Sequence, residues 1–216
     1  MRVGYGLRRV RGGVLGATCV VLGLLGVTVP AAAQQVVRVE EDWELVLGEP
    51  DPVIVGPQVT TTMSPTGNLD GVYFTFEINY RSLPWWTPGG LTIHQWSGEA
   101  RVQSFDRSNR SVMQTSGETV SWTQILSVDG TNLTFQIKNG SSTTWGPFGY
   151  SNMFKLRTAF SGDLSGYSPD LSVAQSGAAF AGNRVQLLRI KEVRLTLSSG
   201  QTLTDSTPRI AHQLVE

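Results

Sequence analysis

Cysteine and histidine are nearly missing from this chain. Its 216 residues hold one cysteine, Cys19, and two histidines, His94 and His212. One cysteine cannot form an internal disulfide, so packing must hold the fold together. Neither histidine has a cysteine or a second histidine at ligand spacing, so no zinc site is readable and no metal is expected. Charge is sparse as well. Acidic and basic residues make up 16% of the chain, 17 of each sign, and no basic stripe exists to neutralise phosphates. Nucleic acid is therefore not an expected partner. No G-x-S-x-G elbow occurs, which leaves a serine hydrolase of that type without support. Gly89-Gly90 and Ser198-Ser199-Gly200 are too short to argue a phosphate cradle, and no cofactor is expected. The loop aspartates Asp51, Asp70, Asp106, Asp129, Asp163 and Asp170 form no EF-hand ladder.

What is present begins with a leader. Arg2, Arg8, Arg9 and Arg11 form a positive stretch without acids, and Val14 to Val29 is an apolar run broken by glycine. Pro30-Ala31-Ala32-Ala33 supplies small residues before a cut ahead of Gln34. These are the three parts of a secretory signal over residues 1–33. The apolar run falls short of the ~20 residues a bilayer crossing needs, which disfavours an uncleaved anchor. The flanks of Arg8-Arg9 fit a twin-arginine signal poorly. Thr18 before Cys19, and the apolar run after it, disfavour a lipoprotein. Removal of 1–33 takes away Cys19 and four bases, leaving 183 residues with 13 bases and 17 acids. That length suits one domain with a sizeable core. An exported chain without disulfides is expected in the bacterial periplasm, on the cell surface or outside. No second apolar span follows, so no transmembrane anchor is expected after signal cleavage. The sequons at Asn109, Asn132 and Asn139 then mean little.

Strand signals fill the remainder. Residues 34–52 mix valines with Glu40-Glu41-Asp42-Trp43-Glu44 and end at Glu49-Pro50-Asp51-Pro52. They read as an N-terminal arm or edge strand. Residues 53–216 read as one β-sandwich domain, with a strand between Val53 and Met63. From Val72 to Tyr80, Val72, Phe74, Phe76, Ile78 and Tyr80 alternate with Tyr73, Thr75, Glu77 and Asn79, which is period 2. Leu91 to Trp96 and Ala100 to Phe105 read as strands joined at Ser97-Gly98. Thr119 to Val128 and Thr131 to Lys138 flank Asp129-Gly130, a type I′ hairpin signal. A two-residue turn there sets Val128 against Thr131, Leu126 against Leu133, Gln124 against Phe135 and Trp122 against Ile137. Phe154, Leu156, Thr158 and Phe160 alternate as another strand. Residues 161–183 read as a long loop with short strand pieces. Arg184 to Leu197 reads as a strand with a bulge near Lys191-Glu192. The sum is an all-β, two-sheet antiparallel sandwich, jelly-roll-like.

Chemistry is harder to place. Glu40, Asp42 and Glu44 form E-x-D-x-E, and on a strand all three share one face. The motif resembles that of laminarinase-type glycosidases, which implies Glu40 as nucleophile, Asp42 as helper and Glu44 as acid/base in a retaining hydrolysis. The other reading is a solvated acidic arm. Trp85-Trp86, between Pro84 and Pro88-Gly89-Gly90, offers indole faces for a sugar ring or caps the core. Thr143 to Gly149 lines a pocket with Trp145 and Phe148 or plugs one end of the sandwich with them. His94 beside Trp96 could join a site. The candidate ligand-binding residues are thus Trp85, Trp86, His94, Trp96 and Trp145, with no catalytic residue assigned.

Three stretches together carry a resemblance. They are Asp42-Trp43-Glu44 with Glu49-Pro50-Asp51, Ser142 to Gly146 with Phe148-Gly149, and Gly182 to Val185 running to Val193-Arg194. They resemble a family of exported bacterial β-sandwich proteins of unknown function, which implies the fold and export but no activity. More loosely, strand count and size are similar to concanavalin-like and jelly-roll sandwiches. The expected function is non-catalytic binding, with polysaccharide or an envelope protein as partner. The alternatives are an assembly protein whose arm pairs with a neighbour's sheet edge, and the glycosidase.

Overall fold

The structure is a computed structural model, and it describes residues 34–49, 58–79, 81–82, 85–86, 90–107, 115–150, 153–180 and 184–215. Residues 34–216 form one compact unit. In chain order the described strands are β1 (Val36–Leu47), β2 (Gln58–Met63), β3 (Val72–Ile78), β4 (Arg81–Ser82), β5 (Trp85–Trp86), β6 (Leu91–Ser97), β7 (Ala100–Arg107), β8 (Thr119–Asp129), β9 (Asn132–Ser142), β10 (Gly146–Phe148), β11 (Lys155–Ala159), β12 (Gly177–Phe180), β13 (Val185–Leu197), β14 (Thr202–Asp205) and β15 (Arg209–Gln213). Among the described residues a single short helix, α1 (Pro169–Ala174), lies between β11 and β12.

Two antiparallel sheets stack as a sandwich, compatible with a jelly-roll-like arrangement. The large sheet runs β10-β9-β8-β1-β13-β14, with β11 also on β9 and β15 also on β13. The small sheet runs β12-β2-β3-β6-β7, and β4 pairs with β5 as a separate two-stranded ribbon. Inward-facing apolar residues of both sheets make one core. Phe74 stacks on Phe135 across the layers with ring centroids 5.0 Å apart, and Phe76 meets Trp122 edge-on at 5.5 Å. Burying each such side chain is worth roughly 1.5–3 kcal/mol.

Four sequence expectations change. β1 is neither an arm nor an edge: it lies between β8 and β13 in the middle of the large sheet. Outward from β1 point Arg38, Glu40, Asp42 and Glu44; β13 supplies Arg194 and Arg189 to these acids, and Arg38 of β1 also bonds Glu40. The β8–β9 turn is displaced. Asp129 pairs with Asn132 and Leu126 with Phe135, so the two-residue loop is Gly130-Thr131. Gly130 has φ +60° and Thr131 is not among the positive-φ residues, the pattern of a type II′ turn with glycine first. The shift is two residues, so every side chain keeps its face and only its partner changes. The stretch 161–183 contains α1, whose Ser168-Pro169-Asp170 start is an N-cap, a proline at N1 and an acid in the first turn. Finally, β15 pairs with β13 where no strand was expected. The bulge near Lys191-Glu192 is present: Asp42 pairs with Glu192 and Trp43 with Ile190, leaving Lys191 as the extra residue.

Candidate functional site

The outer face of the small sheet gathers aromatic and titratable side chains. β3 sends Phe74, Phe76 and Ile78 into the core, so Tyr73, Thr75 and Glu77 face the other way. β6 does the same with Thr92, His94 and Trp96. The register sets Tyr73 opposite Trp96, Thr75 opposite His94 and Glu77 opposite Thr92. The Tyr73 and Trp96 rings are parallel within 8°, centroids 6.1 Å apart, and both are half-buried. His94 meets Trp96 edge-on at 5.9 Å. Trp96 Nε1 donates to Thr75 Oγ1 at 3.1 Å, and that hydroxyl lies 3.5 Å from Glu77 Oε1. β2 adds Thr60 and Thr62, and β7 adds Arg101, Ser104 and Asp106.

Thr75, Glu77, Thr92 and His94 are buried although they point away from the core; His94 is 2% exposed. Burial disfavours charge, and here it dominates. It pushes the Glu77 carboxyl up to about 7, against the Thr75 hydroxyl and Arg101. It pulls the His94 imidazole down to about 4, with Arg101 adding to the effect. Between those values both groups are neutral. The 3.7 Å separation of His94 Nε2 and Glu77 Oε1 is then a contact of uncharged groups, too long for a hydrogen bond. The patch offers neutral donors and acceptors beside flat rings. Glu77 also holds a proton at a pH where an ordinary carboxyl does not, the signature of a functional-site candidate.

Of the residues expected at a site, the structure brings His94 and Trp96 together. Trp85 and Trp86 form β5, paired with β4, and their side chains lie outside the described part. The ribbon follows the Ile78–Leu91 end of the small sheet, whereas Trp96 is near the other end of β6. Trp145 belongs to the β9–β10 turn of the large sheet. It is buried against Phe148, centroids 6.3 Å apart, with its backbone N–H bonded to Ser142 Oγ. Sequence reading missed Tyr73, Thr75 and Glu77 as site residues. Their signal was the outward half of the β3 alternation, which period 2 exposes but does not interpret.

Glu40, Asp42 and Glu44 do share one face, the outer face of the large sheet, and each is paired with a base. Arg194 bonds Glu40 at 2.8 Å and Asp42 at 2.6 Å, and Arg38 also bonds Glu40. Arg189 bonds Glu44 at 2.6 Å, with Lys191 at 3.9 Å. A groove of 240 Å³ opens here over Asp42, Ser121, Thr123, Asn139, Lys191 and Arg194. Against the cost of partial burial, Arg194 and its neighbours hold Glu40 and Asp42 below the usual carboxylate range. That favours the ionised form, and the bases paired with Glu40, Asp42 and Glu44 occupy the carboxylates that a glycosidase would turn to its substrate.

Glu41 was missed entirely. It points from β1 into the sandwich and is 0% exposed. Trp43 Nε1 donates to it at 2.8 Å, the Tyr167 hydroxyl at 2.7 Å and Gln124 Nε2 at 3.4 Å. Burial raises this carboxyl to about 7, while Ser172, Tyr167, Trp43 and Arg209 pull it back. Among the described residues no cluster of three or more His, Cys, Asp or Glu could hold a metal ion, and no helix is long and apolar enough to cross a membrane.

By fold and site the chain is a two-sheet antiparallel β-sandwich bearing an aromatic, polar patch on one sheet. No protein family matches it, and no curated protein matches it.

Proposed function

We propose that the chain is an exported, non-catalytic β-sandwich that binds glycan, with the Tyr73–Trp96 patch as its site. The parallel Tyr73 and Trp96 rings carry this reading. Flat aromatic faces pack on sugar rings, and Thr75, Glu77 and His94 set neutral hydrogen-bonding groups beside them. These neutral groups suit a ligand made of hydroxyl groups, which gains directed hydrogen bonds from them. Export is supported by the leader-like residues 1–33, and the bacterial periplasm, cell surface or exterior is the proposed location. The N-terminus of the product released by a bacterial host is expected at Gln34.

The test is binding of the full chain to an array of neutral polysaccharides, repeated with Trp96→Ala and Tyr73→Ala. Each variant is expected to lose about tenfold or more in affinity, the worth of one stacking contact. Trp96→Phe, which keeps a flat ring, controls for folding. Full binding by both alanine variants would remove the patch from the site.

A further inference from the structure

The outer face of the large sheet divides sharply by charge. Cross-strand register places its side chains in rows. One row reads Arg157, Thr134, Ser127, Arg38; the next Lys155, Gln136, Ile125, Glu40, Arg194; the third Lys138, Thr123, Asp42, Glu192. On the β1–β13 side every base of these rows has an acid: Arg38 with Glu40, and Arg194 with Glu40, Asp42 and Glu192. On the β9–β11 side stand Lys138, Lys155 and Arg157, and among the described residues none has an acid within ion-pair distance. Lys155 and Arg157 are exposed and Lys138 half-buried.

Spacing makes these three cations a track. Lys155 and Arg157 are two apart on one strand, about 6–7 Å. Lys138 is the diagonal neighbour of Lys155, about 7–8 Å away. At the Lys138 end lies a groove of 510 Å³, lined by Lys138, Asn139, Pro147, Phe148 and Tyr150. Tyr150 is 55% exposed there. Gly149 holds that turn close: at φ +71°, an added Cβ would sit 3.0 Å from the Ile137 carbonyl oxygen.

We propose that the β9–β11 face binds a linear carboxylated polysaccharide, with Tyr150 stacking on one sugar and Lys138, Lys155 and Arg157 pairing with successive carboxylates. Three cations in line without internal anions complement a chain of evenly spaced negative charges. The groove, the exposed ring and the Asn139 amide add recognition of a sugar that a bare polyanion would not use. This surface is on a different sheet from the Tyr73–Trp96 patch and does not depend on it.

The experiment titrates the full chain with polygalacturonate, inorganic polyphosphate and single-stranded DNA at low salt. Polygalacturonate is expected to bind tightest, with affinity falling steeply between about 50 and about 200 mM salt. Lys138→Gln, Lys155→Gln and Arg157→Gln combined should abolish binding, with circular dichroism confirming the fold. Arg157→Glu alone should weaken it about tenfold or more by setting a negative charge against the polymer's carboxylates. Tyr150→Ala should weaken polygalacturonate and leave polyphosphate unchanged. Wild-type affinity in the triple variant would overturn the assignment, as would tighter binding of polyphosphate or DNA than of polygalacturonate.

Discussion

A carboxyl group shut away from water must find donors or keep a proton, and Glu41 has both routes open. Its donors are Trp43, Tyr167 and Gln124, and its carboxyl is raised to about 7. From pH 4.5 to about 7 the native state holds a proton that the unfolded chain has released. Stability therefore falls as pH rises through that window, and the loss persists above it. Glu41→Gln removes the titration while keeping shape. It should be more stable than wild type by about 1–2 kcal/mol at pH 8, and equal or less stable at pH 5. Urea denaturation at the two pH values, followed by tryptophan fluorescence, measures this; a wild-type advantage at pH 8 would count against a buried, protonatable Glu41. Gly140 is constrained differently. A Cβ there would lie 2.2 Å from the buried Phe148 ring. Gly140→Ala should cost about 1–3 kcal/mol through overpacking, readable as a lower urea midpoint at unchanged slope.

Among the elements, β1 and β13 show how far local pattern reaches. The outward acids of β1 make it look solvated and peripheral. Their partner Arg194 lies about 150 residues on, where β13 pairs with β1, and only that pairing makes a central strand of it. Arg194→Met should cost about 1–2 kcal/mol, since three carboxylates lose their shared base, with the deficit changing as salt screens the remaining acids. The β3 strand was legible from Val72 to Ile78, because its inward set is entirely apolar; it ends there, Asn79 turning at φ +57°, and Tyr80 lies outside the described residues. The β8–β9 hairpin was legible in its faces but not in its pairing, because Asp-Gly and Gly-Thr both close a two-residue turn and parity cannot separate them. For α1 the signal lay in Ser168-Pro169-Asp170. Ser168 Oγ accepts from the Leu171 N–H, and Ser168→Ala should cost about 1 kcal/mol by thermal melting.

For the whole molecule, titrations of opposite sign set the preferred pH. Glu41 and Glu77, both raised to about 7, lower stability as pH rises from 4.5. His94, pulled down to about 4, lowers it as pH falls below 6.5, because the unfolded chain then takes up the proton first. Glu40 and Asp42, held low by Arg194, lose their contribution in stronger acid. A pH series of melting temperatures should therefore peak on the acid side of neutrality; a maximum above pH 8 would contradict this balance. By itself the sequence determined that extended, alternating segments would stack as two antiparallel layers around Phe74, Phe76, Trp122 and Phe135. Alternation is a local property, and the water-avoiding side of each strand is written in its own residues. Only the tertiary structure decided that β1 is central, that Glu41 is buried, that Tyr73 and Trp96 stand ring to ring, and that Lys138, Lys155 and Arg157 line up without an ion-paired acid among the described residues. Each of these depends on which distant strand lies alongside. Register fixes that pairing through the packing of the whole sheet, and no single segment encodes it.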